Sequence, residues 1–386
     1  MKIADNFSRL GTENAFIILA KAKKLENEGR EIINLGIGQP DFLTPKHIVE
    51  ACKKALDEGH HGYTPANGTL ELREGVVRHI KKMYRADVSP ERVFIAPGGK
   101  PSIFFAIMMF GQPNVEIIYP EPGFPIYESV INYTGAKAIP MFLSEKKNFS
   151  FDADEVLSLI NKKTKLLIIN NPQNPTGGLI ERSEIDKLVN GLKNFPDLTI
   201  FSDEIYSRQI YDGKKMPSFF HYPELYDRLI VMDGWSKTYA MTGWRLGWSV
   251  WPENLIDNVT RMAINSYSCV SAASQVAGLA ALDGPHDFLN EMMDKFTKRR
   301  SLIVDGLNSI PGIQCNNPGG AFYAFPNVSK TGLSGDSFAD KCLFDAGVAV
   351  VPGTSFGRTC KDFVRFSFAN SYKNIEKALE KIKKIL

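Results

Sequence analysis

The sequence predicts an α/β fold with a mostly parallel central sheet, followed by a smaller α+β domain. Short apolar runs alternate with segments of helical pattern from about residue 46 to about residue 282, which is typical of a parallel sheet covered by helices on both faces. Beyond Gly284-Pro285 the pattern changes to one long charged segment and several short apolar runs. We therefore expect an N-terminal segment over residues 1–45, a large domain over residues 46–282 and a small domain over residues 283–386.

The individual elements follow from the length and period of the apolar runs. In the large domain, buried strands are predicted at residues 93–96, 115–119, 166–170, 198–202, 229–232 and 246–250, with a helix over residues 181–192. In the small domain, a charged helix over residues 287–308 precedes short strands near residues 321–325, 348–351 and 364–368. Residues 372–386 place an apolar stripe (Ile375, Leu379, Ile382, Leu386) on one face, so an amphipathic terminal helix is expected.

Composition excludes several classes of protein. The chain has 386 residues, of which 44% are hydrophobic and 23% charged, as in ordinary globular proteins. A net charge of +3 is small and gives no support to a nucleic-acid or membrane-surface partner, so we expect neither. The five cysteines are scattered without a Cys-x-x-Cys pair, which argues against a zinc site or a disulfide scaffold. We therefore expect no bound metal. Because the start lacks an apolar secretory core, we also expect a cytoplasmic protein.

The most informative stretch is Gly-Trp-Ser-Lys-Thr-Tyr-Ala-Met-Thr-Gly-Trp-Arg, residues 234–245. It places the Lys237 amine eight residues before the Arg245 guanidinium (245 − 237 = 8). An amine can form a Schiff base with an aldehyde, and a guanidinium can clamp a phosphate. A lysine with this task needs a depressed pKa, which burial or a nearby cation supplies. The pattern therefore suits an aldehyde cofactor that carries a phosphate, although the same two residues are also common on ordinary surfaces.

Two further motifs stand at the ends of predicted strands. Asn-Asn-Pro-Gln-Asn-Pro-Thr-Gly-Gly, residues 170–178, is a shaped loop where open α/β sheets bind ligands, and its Asn174 offers an amide to a cofactor oxygen. Asp203 ends the strand over 198–202, with Tyr206 three residues later. A carboxylate there can face a protonated pyridine nitrogen, and the phenol can reach a ring hydroxyl. Asp203 alone would equally suit a helix N-cap.

In order, Asn174, Asp203, Tyr206, Lys237, Arg245 and Arg365 resemble the signature of the class I aminotransferases of fold type I, which use pyridoxal 5'-phosphate. The resemblance extends from Gly-Ile-Gly-Gln-Pro-Asp-Phe at residues 36–42 to Arg-Phe-Ser-Phe at residues 365–368, and is greatest to the gamma subgroup, which is aspartate aminotransferase-like. It implies that Lys237 binds the cofactor and moves the substrate α-proton. It also implies that the N-terminal segment packs with the small domain.

The resemblance assigns further residues. Gly99 and Lys100, after Pro97-Gly98, match the turn that cradles the cofactor phosphate at a helix N-terminus. Phe124 matches the aromatic ring that stacks on the pyridine. Tyr63 matches a tyrosine that reaches the phosphate of the neighbouring subunit, which implies a homodimer. Many relatives have serine where this chain has Gly234, and that serine hydroxyl contacts the cofactor phosphate. In this chain the contact is either absent or supplied by Ser236.

The expected reaction moves an α-amino group between an amino acid and a 2-oxo acid by a ping-pong mechanism. Arg365 interrupts an apolar strand, and a guanidinium there suits a bidentate clamp for the α-carboxylate, with Gly38 and Asn174 assisting. Lys100 favours aspartate or glutamate as donor and 2-oxoglutarate as acceptor, whereas Glu13 at the substrate mouth would favour a basic side chain. Broad-range, arginine, alanine and aromatic aminotransferases remain alternatives, as does a cofactor-sharing C–S β-lyase. A nicotinamide dehydrogenase would need Gly-x-Gly-x-x-Gly, which the turn at 97–100 lacks.

Overall fold

The computed structural model describes residues 2–386, in which strands and helices alternate through most of the chain. The strands are β1 (Ile33–Asn34), β2 (Val93–Ala96), β3 (Glu116–Glu121), β4 (Lys137–Phe142), β5 (Thr164–Asn170), β6 (Thr199–Asp203), β7 (Leu229–Gly234), β8 (Gly247–Val250), β9 (Tyr323–Ala324), β10 (Val348–Ala349), β11 (Val351–Pro352) and β12 (Val364–Ser367). The helices are α1 (Asn14–Asn27), α2 (Lys46–Asp57), α3 (Leu70–Tyr84), α4 (Lys100–Phe110), α5 (Ile126–Thr134), α6 (Ala153–Leu159), α7 (Arg182–Leu192), α8 (Trp235–Thr238), α9 (Ile256–Ser266), α10 (Ala272–Asp283), α11 (Asp287–Asn308), α12 (Gly335–Phe344) and α13 (Tyr372–Ile385).

The central sheet has seven strands in the order β2-β8-β7-β6-β5-β3-β4. Strand β8 runs antiparallel to both of its neighbours, and the other neighbouring pairs are parallel. Strands β2, β6, β7 and β8 are buried along their whole length, because helices cover both faces of the sheet. The predicted α/β fold with a mostly parallel sheet is confirmed.

Strand β4 was missed by the sequence analysis. It lies at the edge of the sheet and pairs only with β3 in the sheet order; its two end residues are exposed, Met141 is buried, and the other three are partly buried. Its sequence, Lys-Ala-Ile-Pro-Met-Phe, contains a proline, which is tolerated at a sheet edge and weakens the strand signal. The six strands predicted for the large domain are present with ends shifted by up to two residues.

The C-terminal part of the chain forms a second, smaller core. It contains a three-stranded antiparallel sheet, β11-β12-β9, of which β9 and β12 pack with α11, α12 and α13 in one apolar cluster. In α13, Ile375, Leu379 and Ile382 are buried as the predicted stripe requires. Leu386 is a correction: the helix ends at Ile385, so Leu386 lies beyond it and is 45% exposed.

The N-terminal segment contacts this second core. Strand β1 pairs in parallel with β10, with Ile33 opposite Val348, and α1 buries Ala22 against Leu343 and Ala349. Helix α10 ends at Asp283 and α11 begins at Asp287, so the chain passes between the two cores near the proposed boundary. The division at residues 45/46 and 282/283 stays a prediction. Within residues 2–386, no helix has both the length and the apolar character needed to cross a membrane.

Candidate active site

A cavity of about 530 Å³ lies between the carboxyl ends of β5, β6 and β7 and the strands β9 and β12 of the smaller sheet. Parallel strands present their carboxyl ends at one edge, which is where open α/β sheets bind ligands. Every predicted site residue except Tyr63 lines this cavity: Gly38, Gly99, Lys100, Phe124, Asn174, Asp203, Tyr206, Ser236, Lys237, Arg245 and Arg365. Residues spread over more than three hundred positions of the chain are thus brought to one place.

Lys237 lies on the short helix α8, directly after β7, with its amine inside the cavity. The amine donates a hydrogen bond to the Gly38 carbonyl oxygen at 2.5 Å. Removal from bulk water, together with the positive charges of Arg365 and Arg245, lowers the pKa of Lys237 to about 8. The unprotonated amine, which a nucleophile and proton carrier requires, is therefore far more accessible near neutral pH than in an ordinary lysine.

Arg245 and the loop before α4 form the anion-binding end of the cavity. The Arg245 guanidinium donates to the carbonyl oxygens of Thr242 at 2.7 Å and Pro97 at 3.1 Å, which fixes its position. A Cβ at Gly98, whose φ is +87°, would lie 2.2 Å from the Arg245 Nη2 atom, so only glycine fits there. Gly99 is the N-cap of α4, where the helix end favours negative charge. This end therefore suits a phosphate.

The structure explains Gly234, the position at which the family resemblance implies a serine. A Cβ at Gly234 would lie 2.9 Å from the Gly247 Cα atom, because β7 and β8 approach closely at this pair. A side chain at this position would force the two strands apart. Ser236 instead lines the cavity and is buried, so its hydroxyl is available to an anion beside Lys237.

Asp203 lies at the end of β6 with its carboxylate on the cavity wall, 3% exposed. It accepts hydrogen bonds from the Tyr127 hydroxyl at 2.6 Å and from the backbone N–H of Ile205 at 3.2 Å. Burial raises its pKa to about 6, against the lowering effect of the Tyr127 hydrogen bond. Both donors are neutral, so a cationic N–H partner would stabilise this buried carboxylate. Tyr127 was missed by the sequence analysis, although its segment was recognised through Phe124.

Arg365 and Asn174 contact each other in the wall of the cavity. The Arg365 guanidinium, 4% exposed, donates to the Asn174 side-chain oxygen at 2.9 Å and to the Gly36 carbonyl at 2.5 Å. It stacks on the rings of Tyr323 and Phe356, with its Cζ 4.6 and 4.8 Å from their centroids. Its buried Nε has no hydrogen-bond partner among residues 2–386. A buried guanidinium without a carboxylate partner in its hydrogen bonds suits an acidic ligand group.

Tyr323 was also missed, and it contacts several predicted site residues. Its hydroxyl lies 2.7 Å from the Tyr206 hydroxyl, and its ring lies against Arg365. A Cβ at Gly38 would lie 2.2 Å from the Tyr323 hydroxyl oxygen, so Gly38 leaves room for the phenol. The only sequence signal was a tyrosine within the predicted strand at 321–325, which by itself is typical of a core residue.

Lys100 and Glu13 both line the cavity and form an ion pair with each other. The Lys100 amine also lies 5.4 Å from the Phe124 ring centroid and 5.5 Å from that of Phe16. Tyr63 lies outside the cavity and is 93% exposed. Within residues 2–386, no group of three His, Cys, Asp or Glu side chains is placed to hold a metal ion.

Comparison with known proteins agrees with this geometry. The family model for aminotransferase class I and II matches residues 30–382. The chain is 38% identical to an aspartate aminotransferase of Pyrococcus horikoshii, covering 96% of this chain and 93% of the relative. It is 37% identical to aromatic-amino-acid aminotransferase 2 of Thermococcus litoralis, covering 92% of both. The crystal structure of the aspartate aminotransferase from Rhizobium meliloti superposes with a TM-score of 0.94 at 32% identity, covering 100% of this chain and 98% of that one. The chain belongs to the class I and II aminotransferase family.

Proposed function

We propose that this aminotransferase uses pyridoxal 5'-phosphate to move an α-amino group between an amino acid and a 2-oxo acid by a ping-pong mechanism, with aspartate or glutamate as the preferred donor and 2-oxoglutarate as acceptor. The observation that carries the proposal is the position of the Lys237 amine. It lies in one cavity with the anion-binding end at Arg245, the buried carboxylate of Asp203 and the buried guanidinium of Arg365.

The residues present fit this cofactor. Gly99, Ser236 and Arg245 would hold the phosphate together with the backbone N–H of Lys100 at the start of α4, while the Lys100 amine stays paired with Glu13. The Asp203 carboxylate would take the protonated pyridine nitrogen, which is the cationic partner that its burial requires. Asn174 and Tyr206 would hold the ring oxygen, and Phe124 would cover the ring face. When bound, the cofactor supplies an electron sink for the charge left at the substrate α-carbon.

The protein's own groups orient the substrate and move its proton. Arg365 binds the α-carboxylate through two parallel hydrogen bonds, with its guanidinium already fixed by Asn174 and by the ring of Tyr323. The Lys237 amine takes the α-proton and later returns it. Because its pKa is about 8, the amine can both accept and return a proton near neutral pH.

The preference for acidic donors is supported by Lys100 and by the aspartate aminotransferases among the relatives. A labelling experiment tests the reaction. ¹⁵N-aspartate and 2-oxoglutarate are incubated with the holoenzyme, and mass spectrometry follows the label. We expect ¹⁵N in glutamate and oxaloacetate formed in equal amounts. Ammonia and pyruvate formed from cysteine-type substrates, without labelled glutamate, would instead establish the β-lyase alternative.

A homodimer in the cytoplasm completes the proposal. Tyr63 lies outside its own cavity and is 93% exposed, and Leu43 is 91% exposed, which fits side chains covered by a second copy. The five cysteines are free thiols, as a reducing compartment favours. Sedimentation equilibrium should give twice the mass of the chain, and a fully active monomer would contradict the role of Tyr63. Recovery of the native protein from a secreted fraction would contradict the location.

A further inference from the structure

The ion pair between Glu13 and Lys100 lies in the wall of the same cavity as Arg365 and Lys237. Glu13 is the N-cap residue of α1, but its side chain makes no capping hydrogen bond. Its carboxylate instead bonds the Lys100 amine, which belongs to the first turn of α4. The two residues are far apart in sequence, so this is a long-range tertiary contact and not a local capping interaction. The lysine at this end of the cavity is therefore already paired with a carboxylate of the protein.

The surroundings of the pair are largely apolar. Phe16 and Phe124 flank the Lys100 amine, and Leu19, Ile37 and Ile103 line the cavity with them. Aromatic and aliphatic walls suit an uncharged substrate side chain, provided that no free charge points at it. The Glu13–Lys100 pair meets that condition, because the two opposite charges neutralise each other.

The pair can also be opened at small cost. The Lys100 side chain is 42% exposed and that of Glu13 is 20% exposed, so both charges remain partly hydrated. Partly exposed ion pairs contribute little net stability, and their partners exchange readily with other ions. A second carboxylate that enters the cavity can therefore compete with Glu13 for the same lysine.

We propose that Glu13 is an internal carboxylate that an acidic substrate side chain displaces from Lys100, whereas an uncharged or aromatic side chain binds with the pair intact. The site would then accept two substrate classes, an acidic one and an apolar one. This inference rests on the proposed aminotransferase reaction, and Glu13 acts in it as a specificity-determining residue. A ping-pong enzyme benefits, since one cavity must bind two different substrates in turn.

The test measures ligand binding to the holoenzyme by calorimetry, with maleate as the dicarboxylate and 3-phenylpropionate as the apolar monocarboxylate. In Glu13→Gln, the competitor for Lys100 is lost, so maleate should bind about tenfold more tightly relative to 3-phenylpropionate. Glu26→Gln is the matched control, because Glu26 lies on the same helix, pairs with Lys23 and does not line the cavity. The ratio of kcat/KM for aspartate to that for phenylalanine should rise in Glu13→Gln and stay constant in Glu26→Gln.

A double variant separates displacement from simple repulsion. In a Lys100→Met background there is no lysine to compete for, so Glu13→Gln should change maleate binding by less than about twofold. An equal gain with and without Lys100 would overturn the displacement and leave only repulsion between carboxylates. Amino-group transfer without any effect of Glu13→Gln on the maleate preference would refute this inference alone. Absence of amino-group transfer from every donor would refute the proposed function, and maleate binding would still report on the pair.

Discussion

The hydroxyl groups of Tyr206 and Tyr323 lie 2.7 Å apart and join the loop after β6 to strand β9 across the cavity. Tyr323→Phe removes this hydrogen bond and keeps the ring that stacks on Arg365. We expect kcat/KM to fall about fivefold, the scale of one net hydrogen bond of about 1 kcal/mol. Tyr206→Phe and the double variant should show strong coupling, because each single change deletes the same interaction.

Tyr226→Phe is the control for this double-mutant cycle. Its hydroxyl donates to the Phe220 carbonyl at 2.7 Å, and Tyr226 does not line the cavity. This variant should lower the melting temperature without coupling to Tyr206→Phe. Additive effects of the Tyr206 and Tyr323 changes would show that their contact does not serve the reaction.

Asp203→Asn should keep the fold and lower kcat about 100-fold, the scale for removing one preorganised electrostatic group. The reason is that a neutral amide cannot hold a proton on the cofactor ring as a carboxylate does. Glu204→Gln is the matched control, because Glu204 is also buried but bonds Ser202 and the Phe219 N–H, outside the cavity. Steady-state kinetics measure kcat for both variants. A similar kcat in Asp203→Asn and Glu204→Gln would mean that Asp203 has only a structural role.

Arg365→Ala should cost about 2–5 kcal/mol in kcat/KM for amino acids, since the α-carboxylate is left without its partner. Amines that lack this carboxylate should lose little. Arg300→Ala controls for the loss of a buried, stacked arginine: Arg300 pairs with Asp212 and lies 4.5 Å from the Tyr211 ring, away from the cavity. Equal losses for both substrate types in Arg365→Ala would assign it a structural role.

The lowered pKa of Lys237 has a direct consequence for its reactivity in the cofactor-free protein. Competitive acylation, followed by mass spectrometry at several pH values, should show Lys237 labelled with a midpoint near pH 8, rather than near the ordinary 10.5. Cations lower this pKa, so Arg365→Leu should raise the midpoint, and Glu13→Gln should lower it because the Glu13 charge raises the pKa. If neither substitution shifts the pH midpoint of Lys237 acylation, the electrostatic explanation is contradicted.

The parts of the site that follow from short motifs were predictable from sequence. Lys237, Asp203 and Asn174 each stand directly after an apolar strand, and a parallel sheet brings such strand ends together. Tyr323 could not be predicted in the same way, because its place in the site depends on how the smaller sheet packs against the cavity. The pairing of Glu13 with Lys100 was missed for the same reason: sequence analysis treated them as opposed influences on the substrate, whereas they contact each other.

The parts of the fold that were not predicted from the sequence also depend on tertiary structure. Central strands such as β6 are buried on both faces and read as continuous apolar runs, whereas β4 lies at the edge and has no such signal. The exposure of Leu386 depends on where the last helix ends, and helix ends are set by local capping and fraying rather than by apolar period.

The most direct test of the central claim, that Lys237 holds the cofactor, is borohydride reduction of the holoenzyme followed by peptide mapping. Reduction converts the link between an amine and the cofactor aldehyde into a stable bond. We expect one pyridoxyl group per chain, on Lys237, in the peptide that contains Trp-Ser-Lys-Thr. A pyridoxyl group on Lys100 or on another lysine, or no stable adduct at all, would contradict the account.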